Sequence, residues 1–381
     1  MVKLPEFISY LKLRTSYTEV GSPITQTGIT PGTVTDPMSG GVINPISTYP
    51  YPDFKPERTK SYEVGINARF LNGRISFDGT FYQSNTYNQT FLSVMSPATG
   101  YSGFYVQAGN VRNRGVEMTL GYNDTFGKVN YSTHLTYTAN QNKIVEMVHD
   151  YRNPIDNSLV NITELTLKEA GDVYLREGYS MSDVFTTGIL QRGRDGKLVE
   201  EGNGYQVDRS QRIRLGSADP DFTMGWRHDI NYKNISLGLM ITGRFGGIVT
   251  SQTQAFMDAF GVSKVSAEAR DNGGVMLDGH RYDAERYYNT VGGQGLMSYY
   301  TYDATNVRLQ ELSLTYSLPK KWLGDVFNNA TISFVGRNLF MFYRKAPFDP
   351  DMNGSTGTYN RSDFFMAPSL RNLGFSIKFS L

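Results

Sequence analysis

The sequence predicts an all-β fold of about ten long antiparallel strands, and three observations support this prediction. Apolar and polar residues alternate strictly in many segments, most clearly at the C-terminus, where Phe375, Ile377, Phe379 and Leu381 are separated by polar residues. The alternating segments are about ten residues or longer, which is twice the length usual in soluble sheets. Short connections also alternate with long ones along the chain. Because strand side chains point alternately to the two faces, each segment predicts a strand with one apolar and one polar face.

The composition of the 381 residues excludes several classes of protein. Lys and Arg total 37 against 36 Asp and Glu, so no overall field attracts nucleic acid. The absence of cysteine excludes disulfides, thiolate metal sites and cysteine nucleophiles. The 26 Tyr, 22 Phe and 39 Gly favour strands and turns over helices. No run of about 18 apolar residues exists, which excludes a helical membrane span. A barrel passes this test, because its lumen-facing residues dilute the mean hydropathy.

The first five predicted strands are joined by two tight turns and two long segments. Asn72-Gly73 is the strongest short hairpin signal in the chain, and Phe126-Gly127-Lys128 forms a second tight turn. Residues 22–56 are rich in Pro, Gly and Thr and predict a long loop, and residues 88–111 predict a looser segment. The strands themselves are predicted at residues 8–21, 61–71, 74–82, 116–122 and 129–138.

The rest of the chain continues this pattern. Residues 145–220 predict a long excursion with a small hairpin, in which 184–190 pairs with 197–200 around a turn at Arg194-Asp195-Gly196. Residues 246–303 predict another long loop, and 252–270 within it has helical composition. The alternation slips near Gln310-Glu311, which predicts a β-bulge. The remaining strands are predicted at residues 221–231, 235–241, 307–318, 330–343 and 369–381.

Charged residues are confined to one face of these strands. Glu63, Arg69, Asp78 and Lys378 all lie opposite apolar rows. A Lys or Arg at the lipid midplane costs about 2 to 4 kcal/mol, which would enforce such a separation. The pattern therefore predicts a segment of an antiparallel transmembrane β-barrel with short periplasmic turns and long extracellular loops. The alternative is a soluble or surface-exposed all-β glycan-binding module, such as a sandwich, because alternation alone also fits that fold.

The sequence offers no catalytic constellation. It contains no HExxH motif, no GxSxG elbow and no phosphate-binding loop. Its four histidines are scattered, and the predicted faces separate two of them, so no shared site is expected. We therefore predict that the protein is not an enzyme. The histidines are His134, His149, His228 and His280.

Two sets of residues are candidate ligand sites. Asp349, Asp351 and Asn353 follow the DxDxNG spacing of a calcium loop, which places oxygen ligands around a glycine turn. Position twelve of that loop is Asn360 instead of Glu, so the competing interpretation is a simple turn. Tyr287 and Tyr288 are candidates for stacking on a sugar ring or a peptide side chain. Loop tyrosines next to strands are interpreted as an interfacial girdle. Apart from calcium, no cofactor is predicted.

Five long segments carry a family resemblance, and one of them reads SFVGRNLFMFYRKAPFDPDMNG. They are similar to the C-terminal half of the SusC-like (RagA-like) TonB-dependent transporters of Bacteroidetes outer membranes. The similarity begins within the first ten residues and continues to Leu381. The five segments are residues 55–82, 110–123, 216–247, 302–319 and 333–354.

The resemblance implies a barrel of about 22 strands that is plugged by an N-terminal domain. Residues 1–381 would form the C-terminal part of that barrel, without the plug domain or a signal peptide. The family imports oligosaccharides or peptides with a SusD-like surface lipoprotein as lid, powered by the TonB complex through the missing N-terminal part. The implied partners are these proteins, outer-membrane lipid and a glycan or peptide substrate, with no nucleic acid. A passive porin is a third interpretation, since it shares the barrel without plug or TonB.

Overall fold

The computed structural model describes residues 4–23, 33–36, 42–45, 48–49, 54–152, 158–167, 173–324, 327–352, 362–367 and 369–380. Ten long strands form one antiparallel sheet whose order follows the chain, and we call this sheet the wall. The prediction of about ten strands is confirmed. The wall strands are β1 (Ile8–Ser22), β2 (Glu57–Phe70), β3 (Ile75–Tyr87), β4 (Asn110–Phe126), β5 (Val129–Glu146), β6 (Phe222–Tyr232), β7 (Ile235–Phe245), β8 (Asn306–Ser317), β9 (Asn329–Arg344) and β10 (Asn372–Ser380).

One face of the wall is apolar from its first strand to its last. Its side chains are largely uncovered by protein: Val64 is 58% exposed and Phe375 is 69% exposed. An apolar surface of this extent is not stable in water and requires an apolar environment. The register brings apolar residues directly opposite one another in nine successive strands, namely Leu11, Ala68, Phe77, Leu120, Leu135, Trp226, Ile241, Leu309 and Phe340.

The other face of the wall is polar along the same path. Alternation places the intervening residues there, and they include most of the charged side chains of the strands. The separation predicted from the sequence is therefore present in the register. One complete polar row consists of Arg14, Gly65, Thr80, Glu117, Thr138, Thr223, Arg244, Asn306 and Arg344.

Short turns lie at one end of the wall and long connections at the other. The β2–β3 turn contains Asn72 at φ 56° and Gly73 at φ 86°, which confirms the predicted hairpin. Gly127, at φ 62°, turns the chain from β4 to β5, and Lys233, at φ 53°, lies in the β6–β7 turn. We call the two ends the turn end and the loop end. Their alternation confirms the predicted connection pattern.

The connections at the loop end carry short strands and three helices. The helices are α1 (Gln252–Ala259), α2 (Lys264–Asp271) and α3 (Ala284–Val291). Among the described residues, no helix is long and apolar enough to span a membrane. The short strands are Thr33–Asp36, Val42–Pro45, Thr48–Tyr49, Gln89–Val94, Gly103–Ala108, Val148–Arg152, Leu159–Ile162, Glu164–Thr166, Tyr174–Arg176, Asp183–Leu190, Glu200–Glu201, Gly204–Tyr205, Val207–Ser217, Ile248–Ser251, Val275–Leu277, His280–Tyr282, Thr301–Asp303 and Ser362–Asp363.

Three details of the connections differ from the sequence prediction. Residues 88–111 are ordered by a hairpin of Gln89–Val94 and Gly103–Ala108. Asp183–Leu190 pairs with Val207–Ser217, so the predicted pairing with 197–200 is wrong. The predicted turn at Arg194-Asp195-Gly196 is present, and it brings Arg192 opposite Leu198. The predicted helical segment is confirmed, but it forms two helices, because the chain turns at Gly261, with φ 66°, between α1 and α2. These features depend on partners distant in sequence, which local patterns do not reveal.

The predicted bulge in β8 is confirmed at Gln310. Leu309 lies opposite Ile241 of β7, and Glu311 lies opposite Met240, so Gln310 is the extra residue. A register shift occurs at the same place on the other side, toward β9. The bulge keeps Leu309 and Leu314 on the apolar face although their spacing is odd.

Candidate functional site: the polar face and the loop end

An ion-pair network crosses the polar face between β1, β2 and β3. Arg14 donates to both carboxylate oxygens of Asp78, at 2.9 and 2.5 Å, and to the Thr80 hydroxyl at 2.7 Å. The Asn67 amide donates to Asp78 at 2.6 Å. This network fixes charged side chains of the wall in one arrangement and leaves the face hydrophilic, as a water-filled channel requires.

A polar cleft opens at the loop end, where β5 extends beyond β6. The pairing of these strands stops at Thr138 and Thr223, while β5 continues to Glu146 beside β4 alone. The cleft has a volume of about 550 Å³. Its lining residues are Asn140, Gln141, Asn142, Lys143, Gly178, Tyr179, Ser180, Asp183, Arg214, Ser217, Asp219, Pro220 and Asp221.

The cleft is held in shape by hydrogen bonds of its own residues. Asp183 is buried, accepts from Arg214 at 2.8 Å and accepts from the backbone N–H of Ser180 at 3.0 Å. The Ser182 hydroxyl donates to Asp219 at 2.6 Å. Amide and hydroxyl groups beside paired charges offer both donors and acceptors, which suits a ligand rich in hydroxyl or peptide groups. This cleft could not be predicted from the sequence, because the strands at 183–190 and 207–217 are brought together only by the fold.

The calcium-loop candidates Asp349 and Asp351 bind an arginine. Arg308 donates to Asp349 at 2.8 Å and to Asp351 at 2.6 Å, and its side chain is only 7% exposed. Arg244 lies 3.6 Å from Asp351. Burial raises the pKa of Asp349, but hydrogen bonds from Arg308 and Ser369 lower it by more, and the net pKa lies below its ordinary value. The carboxylates are therefore neutralised by arginine.

Calcium binding at this place stays an untested prediction. Asn353 and Asn360 lie outside the described residues. A cation that bound Asp349 and Asp351 would have to displace the Arg308 guanidinium. Within the described ranges, no group of three or more His, Cys, Asp or Glu side chains is placed to hold a metal ion.

Tyr287 and Tyr288 lie in the core of the loop-end connections. Each is 8% exposed, and both belong to one apolar cluster with Tyr282, Val291 and Leu296. Burial raises the pKa of both tyrosines above the ordinary value. The structure therefore gives them a packing role in α3, and the predicted ligand contact finds no support. Their burial could not be predicted from the sequence, because it depends on how α3 packs against the other connections. Tyr51, one of the loop tyrosines that the sequence suggests for an interfacial girdle or for ligand stacking, lies outside the described residues.

The two histidines of the wall lie on opposite faces, as predicted. His228 is opposite Thr133 on the apolar face, and His134 is opposite Arg227 on the polar face. The Tyr131 hydroxyl lies 2.8 Å from Nδ1 of His228, so this imidazole has a hydrogen-bond partner on the apolar side. The two rings therefore cannot form one site.

Comparison with known proteins assigns this architecture to a family. The family profile described as TonB dependent receptor-like, beta-barrel matches residues 6–242, more than half of the chain. The chain belongs to this family. TonB-dependent receptor P3 of Formosa agariphila is 25% identical over 98% of the chain and 40% of its own length. TonB-dependent receptor P26 of the same organism is 25% identical over 79% of the chain and 32% of its own length.

Solved structures support the same fold. The RagAB peptide transporter matches with a TM-score of 0.71 and 17% identity, over 99% of the chain and 41% of the matched chain. The RagAB peptide importer in its open-open state matches with a TM-score of 0.68 and 17% identity. The chain thus spans about 40% of the length of the first relatives that it matches. The predicted resemblance to RagA-like and SusC-like receptors is confirmed.

Family membership identifies the environment of each face of the wall. The family belongs to the outer membrane, so the apolar face contacts lipid and the polar face borders the barrel lumen. In the described residues β1 and β10 each have a wall neighbour on one side only, and the sheet is open. The family is one of transport proteins, which agrees with the prediction of a non-enzymatic role.

Proposed function

We propose that this chain forms part of the wall of an active TonB-dependent importer in the outer membrane. Residues 1–381 supply the C-terminal part of the barrel, and the plug and the segment that contacts TonB belong to polypeptide outside these residues. The observation that carries the proposal is the wall itself, with an unbroken apolar row on one face and charged networks on the other. Such a wall separates lipid from a hydrophilic passage.

We propose oligosaccharides or peptides as the substrate class. The ion pairs of the polar face and the cleft around Asp183 offer paired donors and acceptors, which match hydroxyl-rich or amide-rich molecules. The RagAB structures are described as a peptide transporter, which supports the peptide half of this proposal by analogy alone. No residue of the described part is assigned to a substrate.

We propose a SusD-like surface lipoprotein as the partner at the loop end. An exposed aromatic patch there, formed by Phe256, Phe364 and Phe365, supports this proposal. The ring centroids of Phe364 and Phe365 lie 5.2 Å apart, and Phe256 lies 5.7 Å from Phe365. Phe365 is 61% exposed. Exposed aromatic clusters are typical anchors of protein interfaces.

Uptake measurements test the importer against a passive porin. Cells that carry or lack the full-length gene are supplied with fluorescent oligosaccharides and peptides, in backgrounds with and without TonB. An importer takes up its substrate only when both the gene and TonB are present, and it accumulates the substrate against a gradient. Uptake that persists without TonB would indicate a passive porin instead of an importer. A full-length product that is water-soluble without detergent would exclude both the importer and the porin.

A further inference from the structure

A row of basic side chains lies on the lipid-facing side of the wall, just above the apolar band. Lys60 of β2 is opposite Asn85 of β3, Asn85 is opposite Arg112 of β4, and Arg112 is opposite Lys143 of β5. We call Lys60, Arg112 and Lys143 the basic row, and Lys143 also borders the polar cleft. It lies on the same face as Val64, because residues four apart in a strand share a face.

The height of the basic row places it at the membrane surface. On the lipid-facing side of β4, Tyr122 is the last residue before the charged Asp124, and it lies ten residues from Arg112, or about 33 Å along the strand. At a strand tilt of about 40° this distance becomes about 25 Å along the membrane normal, which equals the height of the apolar band of such barrels. Arg112, in the middle of the basic row, is therefore level with the lipid headgroups at the loop end, which faces outside in this class of barrel.

Two acids flank the basic row, Glu19 opposite Lys60 and Glu146 opposite Asn110, and in the described residues neither forms an ion pair with a member of the row. Among the residues that the structure describes, none of its three members forms an ion pair. Glu19, opposite Lys60, pairs instead with Arg58 at 3.3 Å. Arg112 and Lys143 are direct cross-strand neighbours, and like charges in that position repel each other. A bound anion would remove this repulsion.

The surroundings of the basic row favour an anion attached to a lipid. Below it, the next row consists of Tyr62, Gln83, Arg114 and Gln141, in which Arg114 donates to Gln141 at 2.8 Å. The row after that is apolar, with Val64, Phe81, Val116 and Ala139. An amphiphile would thus meet cations, then hydrogen-bonding groups, then an apolar surface in the order of its own parts. In β6 and β7 the same rim carries Phe222 opposite Phe245, so the basic row is confined to β2–β5.

We propose that the basic row binds a phosphate group of an anionic lipid in the outer leaflet. Arg112 and Lys143 hold the phosphate between them, and Lys60 contacts a second phosphate or the sugar to which it is attached. The acyl chains of the lipid lie on the apolar rows beneath. This role does not depend on transport, so failure of the lipid proposal leaves the uptake test unaffected.

Lipid binding to the purified full-length protein in detergent tests the proposal. Native mass spectrometry follows the binding of diphosphorylated lipid A, the same lipid after enzymatic removal of its phosphates, and inorganic phosphate. We expect the K60Q/R112Q/K143Q variant to bind the phosphorylated lipid at least about tenfold more weakly than wild type. We expect wild type to lose a similar factor with the dephosphorylated lipid.

Two further variants complete the test. K233Q/K320Q/K321Q removes three charges at the turn end and should bind like wild type. K60R/R112K/K143R keeps the charge of the basic row and should retain binding, which excludes misfolding as the cause of a loss. Equal binding of phosphorylated and dephosphorylated lipid, wild-type binding by the K60Q/R112Q/K143Q variant, or full competition by inorganic phosphate would each overturn the proposal.

Discussion

Arg308 shows how one buried cation organises a long connection. It lies in β8 on the polar face and binds Asp349 and Asp351, both of which belong to the connection between β9 and β10. Asp349 also accepts from the Ser369 hydroxyl, so one carboxylate links the beginning and the end of that connection. Removing one partner of a buried pair costs about 3 to 5 kcal/mol, because the other charge is left without compensation.

We predict that Arg308→Met loosens the connection between β9 and β10 without unfolding the wall. Asp349 and Asp351 would then be two carboxylates beside each other with no bound arginine. Limited proteolysis of the full-length protein in detergent should cut after residue 344 at least about tenfold faster than in wild type. Lys320→Met, at the turn end, is the matched control. Equal cleavage rates in all three proteins would contradict the organising role of Arg308.

The lowered pKa of Asp349 predicts acid sensitivity of the same connection. Because its folded pKa lies below the unfolded value of about 3.9, the ionised form favours the folded state. This stabilisation is complete above about pH 4 and is lost as the pH falls through the folded pKa. Cleavage by an acid-active protease should therefore rise below about pH 4 in wild type. Asp349→Asn should be cleaved fast at every pH, whereas Asp271→Asn should behave like wild type.

The separation of the two faces predicts opposite outcomes for neighbouring residues of β5. Leu135 belongs to the apolar row, and Thr136 points to the lumen side. Leu135→Arg should destabilise the full-length barrel by about 2 to 4 kcal/mol, the cost of a cation at the lipid midplane, while Thr136→Arg should change stability by less than about 1 kcal/mol. Urea unfolding in lipid vesicles measures both. Similar losses for the two variants would show that the apolar face does not contact lipid.

At the scale of elements, the bulge at Gln310 makes β8 unusually tolerant of a deletion. Leu309 and Leu314 both belong to the apolar face only because Gln310 is an extra residue between them. Deleting Gln310 leaves strict alternation and keeps both residues on that face. Deleting Ser313 instead also restores strict alternation, but it would turn Glu311 toward lipid and Leu312 toward the lumen.

We therefore predict that the protein without Gln310 inserts into the outer membrane at near wild-type levels and that the protein without Ser313 does not. Heat-dependent migration of the full-length proteins on gels reports the folded barrel. The deletions remove one residue each from the same strand, so each serves as the control of the other. Loss of folding on deletion of Gln310 would mean that the bulge itself is needed.

The sequence predicted the wall elements well because each carries its own signal. Alternation and the turns at Asn72-Gly73 and Gly127 are local features, and they predicted all ten strands. The strand ends at the loop end were less accurate: β5 continues eight residues beyond the predicted end at 138, and β4 begins six residues before the predicted start at 116. The loop end was less predictable, since the pairing of Asp183–Leu190 with Val207–Ser217 joins segments that local patterns treat separately. For the same reason the polar cleft and the burial of Tyr287 could not be foreseen, because both require tertiary contacts.

At the scale of the whole molecule, the aromatic patch and the wall face different surroundings. The patch of Phe256, Phe364 and Phe365 lies in the loop-end connections and not in the lipid-facing rows, so lipid does not explain its exposure. A protein partner would cover it. The proposed lipoprotein would therefore contact these three side chains.

We predict that F256S/F365S lowers co-purification of the full-length protein with its lipoprotein at least about tenfold, since central aromatic anchors contribute about 2 kcal/mol or more each. Pull-down from detergent-solubilised membranes measures the complex. L11S/F375S removes apolar residues of the lipid-facing wall and should leave the complex intact if it folds. Unchanged co-purification of F256S/F365S would remove the patch from the proposed interface.

The two outermost strands have a consequence for how this polypeptide can exist in a cell. In the part of the chain that the structure describes, β1 and β10 each have backbone amides and carbonyls without a neighbouring strand along one edge, and hydrocarbon cannot solvate them. Such edge strands can pair with any extended chain, including the same strand of a second copy. Further strands that complete the barrel must therefore pair with β1 and β10 during assembly, or the sheet will aggregate before it reaches the bilayer.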